Sequence, residues 1–160
     1  EHADFARLAE AKAAGTLDEA IPAERDRQVA LQLTAPEIAE KLDAVCIRRF
    51  VESEAFAKIC AAQQVLRELP FITALPAGAV LAAQGHEELP AAADAQVLVY
   101  PDHLELLDYK TDRRKAESDF LRAYRAQLNL YAIAIEKRFA PKKVTYKGIY
   151  SFALGKLIEA

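Results

Sequence analysis

Ala95-Gln96-Val97-Leu98-Val99-Tyr100-Pro101-Asp102-His103-Leu104-Glu105-Leu106-Leu107-Asp108-Tyr109-Lys110-Thr111-Asp112-Arg113 is the stretch from which the fold can be read. Two apolar runs, Ala95 to Tyr100 and Leu104 to Thr111, flank Pro101-Asp102-His103, a turn signal, and together they predict a β-hairpin. With the turn centred on Asp102, antiparallel pairing sets residues summing to about 204 opposite one another, so Asp94 faces Lys110 and lies diagonal to Asp108. Side chains alternate along a strand, which puts Asp108 and Lys110 on one face and turns Tyr109 away. A D-x-K tripeptide by itself is a surface ion pair worth ~0–1 kcal/mol. Three charged groups gathered at a hairpin's open end, with Val97, Leu98, Leu106 and Leu107 between, ask for more than that.

Outward from the hairpin, Val65 to Ile72 reads as a strand that carries Glu68 and ends at Pro70, as an edge would. Residues 73–93 are rich in Ala, Gly and Pro and read as loop, with a candidate strand at 79–83. On the other side, Ser118 to Phe139 predicts a long helix whose stripe is Leu121, Tyr124, Leu128, Tyr131 and Ile135. Gln127 lies one turn before Tyr131 on that general face, and a glutamine facing a core requires a partner. A strand over Val144 to Phe152 and a short Lys156–Glu159 segment finish the sheet.

The first sixty residues read as helices. Phe5, Leu8, Ala11 and Ala14 recur at helical spacing before Gly15, and a loop with Pro22 leads to a second helical stretch. Thr34-Ala35-Pro36-Glu37 predicts a capping box opening a helix with Ile38, Leu42, Val45, Ile47 and Phe50 buried. Ser53 is expected to cap a further helix over 54–62 with Phe56, Ile59 and Cys60 facing in.

A chain of 160 residues, 52% hydrophobic and 28% charged, is one ordinary globular domain, and no apolar run approaches the ~20 residues of a membrane span. Cys46 and Cys60 make neither a disulfide framework nor a metal site, and are expected to be buried thiols of a reducing compartment. No secretory signal is visible. A chain that starts at Glu1 and holds no methionine is expected to be a fragment of something larger. The net charge of −3 conceals an asymmetry: residues 1–107 hold 9 Lys/Arg against 18 Asp/Glu, whereas residues 108–160 hold 12 against 6. Positive charge beside an acidic cluster suits a polyanion that must approach bound cations.

An acidic residue on one strand, D-Y-K-T-D on the next (108–112) and Q-L-x-x-Y on the following helix (127–131) resemble the RecB-like branch of the PD-(D/E)xK nuclease superfamily. Within it, Arg67-Glu68-Leu69-Pro70-Phe71, Tyr124-Arg125-Ala126-Gln127-Leu128 and Tyr150-Ser151-Phe152-Ala153-Leu154-Gly155-Lys156 are similar to the nuclease domain of the AddA subunit of bacterial AddAB helicase-nucleases. The resemblance covers essentially the whole chain. It implies an α/β (α+β) fold with a restriction-endonuclease-like mixed sheet flanked by helices: a single nuclease domain with a helical layer over 1–62 and the catalytic sheet and helix over 63–160.

The activity so implied is Mg²⁺-dependent hydrolysis of DNA phosphodiesters, with Mn²⁺ able to substitute, in a bacterial cytoplasmic exonuclease that processes double-strand breaks for recombinational repair. The resemblance assigns metal binding to Asp94, Asp108 and the Tyr109 carbonyl, catalytic roles to Lys110, Glu68, Gln127 and Tyr131, and DNA contacts to Arg113, Arg114, Lys115, Tyr124 and Arg125. An AddB-type subunit would be its partner. No Walker A loop occurs, so ATP hydrolysis would belong to an upstream portion.

Two departures stand out. The glycine that the family places before its first metal aspartate is replaced around Asp94 by Ala91-Ala92-Ala93, and Gln84-Gly85-His86-Glu87-Glu88 keeps part of that signature, which leaves Glu88 as the alternative ligand. The family's histidine upstream of an A-D-F segment has only His2 to match it. A catalytically silent nuclease-fold module that binds DNA or a partner subunit is the competing reading, and a generic protein-interaction domain a third.

Overall fold

Residues 3–67, 95–113 and 116–160 are described by the computed structural model, and the chain divides into two units, Glu1–Ala61 and Ala62–Ala160.

The first unit is helical. Helix α1 (Phe5–Ala14) begins at Asp4, whose carboxylate accepts the Arg7 N–H, and stops at Gly15, which takes the left-handed φ of 73° that a side chain would resist. Helix α2 spans Leu17–Ala30 with Pro22 inside it. The loop expected at Pro22 is therefore helix. An interior proline costs about 3 kcal/mol, and here Leu17, Ile21 and Glu24, all buried at i, i+4 and i+7, carry one packed stripe through it.

The capping box expected at Thr34 does not form. Helix α3 (Pro36–Ala39) is a single turn whose N-cap, Ala35, has no side-chain bond, while the Thr34 hydroxyl donates to Gln28. A new helix, α4 (Ala44–Glu52), starts at Asp43, whose carboxylate accepts the Val45 N–H at 2.8 Å. That restart resets the helical phase, so the single stripe expected from Ile38 to Phe50 is broken. Ile38 and Val45 are 58% and 62% exposed, Leu42 is also exposed, and Phe50 is buried. Helix α5 (Glu54–Ala61) is capped by the Ser53 hydroxyl, which accepts the Phe56 N–H. It buries Phe56 and Ile59, but Cys60 is exposed and Cys46 only half-buried, which corrects the expectation of buried thiols. The rings of Phe5, Phe50 and Phe56 meet at 5.7–6.1 Å and join α1, α4 and α5.

The second unit is a five-stranded mixed sheet. Its elements are β1 (Gln64–Leu66), β2 (Gln96–Val99), β3 (His103–Lys110), α6 (Glu117–Arg138), β4 (Lys143–Ser151) and β5 (Lys156–Glu159), with spatial order β1-β2-β3-β4-β5. Strand β3 pairs antiparallel with β2 and parallel with β4, and α6 makes the crossover that parallel neighbours need. Of the strand expected over residues 65–72, Gln64–Leu66 is observed and residues 68–72 lie outside the described residues, as does the candidate strand at 79–83.

The hairpin forms, but one residue out of the expected register: Gln96 faces Leu107 and Val99 faces Leu104, pairs that sum to 203. The turn closes through the Tyr100 N–H on the His103 carbonyl at 3.0 Å, so its loop is the two residues Pro101 and Asp102 and its centre falls between them. An even loop cannot centre on a residue. The register argument that set Asp94 against Lys110 is thereby overturned, and Asp94 itself lies outside the described residues.

Leu104 and Leu106 of β3 join Val97, Val99, Phe120, Leu128, Tyr131, Ile135 and Ile149 in the core beneath α6. By alternation Asp108 and Lys110 continue that face beyond the apolar layer.

Candidate active site at the end of the third strand

The core of the second unit gives way to charge within one residue pair. Asp108 is 1% exposed, and the Lys110 ammonium lies 3.0 Å from its Oδ2. Two positions apart on a strand is the spacing that lets the two side chains meet, as the sequence led us to expect. Position 108 is flanked by Ile149 of β4 and position 110 by the buried Ser151. The strand end is fixed by its neighbour too, since the Lys110 carbonyl accepts the Phe152 N–H at 3.0 Å.

Helix α6 supplies the other side. The Lys110 ammonium sits 4.4 Å from the ring centroid of Tyr124, and the Tyr124 hydroxyl donates to the Asp112 carboxylate. One turn further on, the Gln127 amide donates to the Tyr131 hydroxyl at 3.0 Å, which is the partner that a core-facing glutamine requires. Arg125 projects from the exposed side of α6, and Arg113 is exposed after β3.

Tyr109 points to the opposite face, where its hydroxyl donates to Gln96 at 2.9 Å. Burial pushes its phenol above the usual tyrosine range, with nearby Arg67 opposing and Asp108 adding to the rise. The phenol stays protonated and acts as a fixed donor.

The structure thus brings together Asp108, Lys110, Asp112 and Tyr124, and pairs Gln127 with Tyr131. Glu68, Asp94, its alternative Glu88, Arg114 and Lys115 lie outside the described residues, as does His2. Asp112 is the member that sequence reasoning passed over, although it stands in the quoted D-Y-K-T-D motif; its tie to a tyrosine 12 residues away has no local signature.

A hard dication takes oxygen donors, and the Asp108 carboxylate is of that chemistry. Among the described residues no group of three His, Cys, Asp or Glu side chains stands ready to hold a metal ion. Asp108 is thus one donor toward such a site, and the acidic residues expected to complete the set fall in the stretch outside the described residues.

No family model matches this chain. Curated relatives do. It is 34% identical over 152 residues to the A subunit of the ATP-dependent helicase/nuclease of Ligilactobacillus salivarius, an alignment covering 89% of this chain and 12% of that protein. It is 35% identical over 152 residues to the protein of the same name in Heliobacterium modesticaldum, covering 88% of this chain and 11% of that protein. The chain belongs to the AddA family of ATP-dependent helicase/nuclease subunits. A relative in Lacticaseibacillus paracasei, 30% identical over 84% of the chain and 11% of its own length, carries that name as well. The chain spans about one-ninth of the length of these relatives. The mixed sheet and the helical layer agree with the nuclease-like fold that the resemblance implied for this part of the family. Among the described residues no helix is long and apolar enough to cross a membrane.

Proposed function

We propose that this chain is the metal-dependent DNA exonuclease domain of an ATP-dependent helicase-nuclease that processes double-strand breaks for recombinational repair. The carrying observation is the buried Asp108 carboxylate 3.0 Å from the Lys110 ammonium at the end of β3, in a chain whose relatives are named as helicase/nuclease subunits. In this reading Asp108, the Tyr109 carbonyl and one of Asp94 or Glu88 hold Mg²⁺ or Mn²⁺. A bound dication supplies Lewis acidity and a water acidic enough to be a nucleophile at neutral pH. Lys110, paired with Asp108, would bring its positive charge to a phosphate drawn to that ion and offset the negative charge that grows on the phosphoryl oxygens during hydrolysis. Glu68 takes a catalytic role in the same reading, while Gln127 and Tyr131, bonded to each other, brace the helix side. Exposed Arg113 and Arg125, with Arg114 and Lys115, hold the DNA backbone. A partner subunit of the AddB type and a cytoplasmic setting complete the proposal.

The test is Asp108→Asn, which keeps the side chain's shape and removes its charge. Degradation of linear DNA in Mg²⁺ should be abolished and the calorimetric Mn²⁺ site lost, with the melting temperature little changed. Cleavage that survives the substitution would sink the assignment, and DNA binding by a chain with no Mn²⁺ site would transfer it to a silent nuclease-fold module.

A further inference from the structure

We infer that Tyr124 is a positioning residue for Lys110 and Asp112, and not the nucleic-acid contact that its place in the family motif suggested. The inference rests on the proposed nuclease reading for the importance of Lys110, and on geometry alone for the contacts.

Tyr124 meets the strand end in two chemically different ways. Its ring faces the Lys110 ammonium at 4.4 Å, and its hydroxyl donates to Asp112 Oδ2. The ring is packed in turn beside Phe120, 6.4 Å away on the preceding turn of α6, and Phe120 is fully buried in the core. A lysine carries a flexible four-carbon stem, so its charge is useful at one point only if something besides its salt bridge confines it. The Asp108 carboxylate holds the ammonium from the strand, 3.0 Å away, and the Tyr124 ring holds it from the helix. Asp112 lies beyond the last hydrogen-bonded pair of β3, and the tyrosine hydroxyl ties that departing segment back to α6. One side chain therefore holds both the Lys110 ammonium and Asp112 against α6. With its hydroxyl engaged and one ring face covered by Lys110, it is poorly disposed to stack on a base.

The experiment has two readouts on the full chain. In metal-free protein, the Lys110 ε-methylene signal, assigned by its loss in Lys110→Gln, should lie upfield through the Tyr124 ring current. It should stay there in Tyr124→Phe and return to the ordinary lysine position in Tyr124→Leu. In steady-state cleavage of linear DNA with Mg²⁺, Tyr124→Leu should lower kcat by about tenfold or more, since small misplacements of a reacting group cost that much, and leave KM within about twofold. Tyr124→Phe and Asp112→Ala should each cost a smaller factor, and the double variant no more than either alone, because each removes the same hydroxyl–carboxylate bond.

A raised KM with kcat intact in Tyr124→Leu would show a DNA contact and overturn the inference. So would a lysine signal at its ordinary position in the unmodified chain. If the unmodified chain cuts no DNA, the nuclease reading fails, and the lysine signal still decides the positioning role. If Tyr124→Leu does not fold, additive losses in Tyr124→Phe and Asp112→Ala would count against the inference and non-additive losses for it.

Discussion

Glu24 accepts four hydrogen bonds: the Asp4 N–H at 3.0 Å, two guanidinium N–H groups of Arg27 at 2.7 Å each, and the Gln28 amide at 3.1 Å. Burial opposes its charged form, with only 6% of the residue exposed, but the bonds from Arg27, Asp4 and Gln28 outweigh it and bring its pKa from 4.5 down to about 2. A carboxylate whose folded pKa is depressed stabilises the fold fully above the unfolded value and loses that contribution as pH falls through the folded one. The window is therefore about pH 4.5 down to 2, and the contribution is on the order of 3 kcal/mol. Urea unfolding followed from pH 6 to pH 2 should show this loss, and Glu24→Gln should flatten that part of the profile while lowering stability at neutral pH. An unchanged slope in the variant would mean that other carboxylates govern the acid limb. Nothing in the sequence marks Glu24 out, because a glutamate on a helix reads as a solvated one. The acceptor role depends on an N–H 20 residues away, and only the packed helices bring the two together.

Among the elements, the crossover from β3 through α6 to β4 fixes the site, and β4 carries a closely enclosed glycine. A Cβ on Gly148 would stand 2.7 Å from Tyr146 Cε1 and 2.9 Å from Leu157 Cδ1, closer than carbon atoms approach. Tyr146 shares that strand face and lies over the glycine, and Leu157 comes from β5. Gly148→Ala should therefore lower stability by about 1–3 kcal/mol through overpacking, with fastest amide exchange along β4 and β5; neutral melting would show that the two side chains swing away freely. The elements also show what patterning can reveal. Alternation and the Pro-Asp turn signal were enough for β2, β3 and their hairpin, and a single 3.6 period was enough for α6. The register slipped by one because loop length depends on which backbone groups close the turn, here Tyr100 N–H on the His103 carbonyl, and side-chain type does not encode that. In the helical unit an apolar repeat crossing Asp43 looked continuous, yet the aspartate caps a new helix and shifts the phase.

Over the whole molecule, the basic surplus is confined to residues 108–160, the C-terminal part of the sheet unit, where Asp108 and Lys110 also lie. The Asp108–Lys110 pair was legible because strand alternation is local; the Tyr124–Asp112 tie was not, because it joins a helix to the residues just past a strand. Exposed Arg113 and Arg125 carry charge that no core packing requires. If they meet DNA phosphates, each releases counterions on binding, and the logarithm of affinity should fall linearly with the logarithm of salt concentration. For single-stranded DNA the slope is about −0.7 per contact. Arg113→Ala combined with Arg125→Ala should then reduce the slope by about 1.4 and weaken binding at low salt, with the melting temperature unchanged because neither side chain is buried. Fluorescence anisotropy with a labelled oligonucleotide across a salt series measures both quantities. A slope that stays the same in the double variant would move the DNA path away from this surface, and affinity with no salt dependence in the unmodified chain would remove DNA as its ligand.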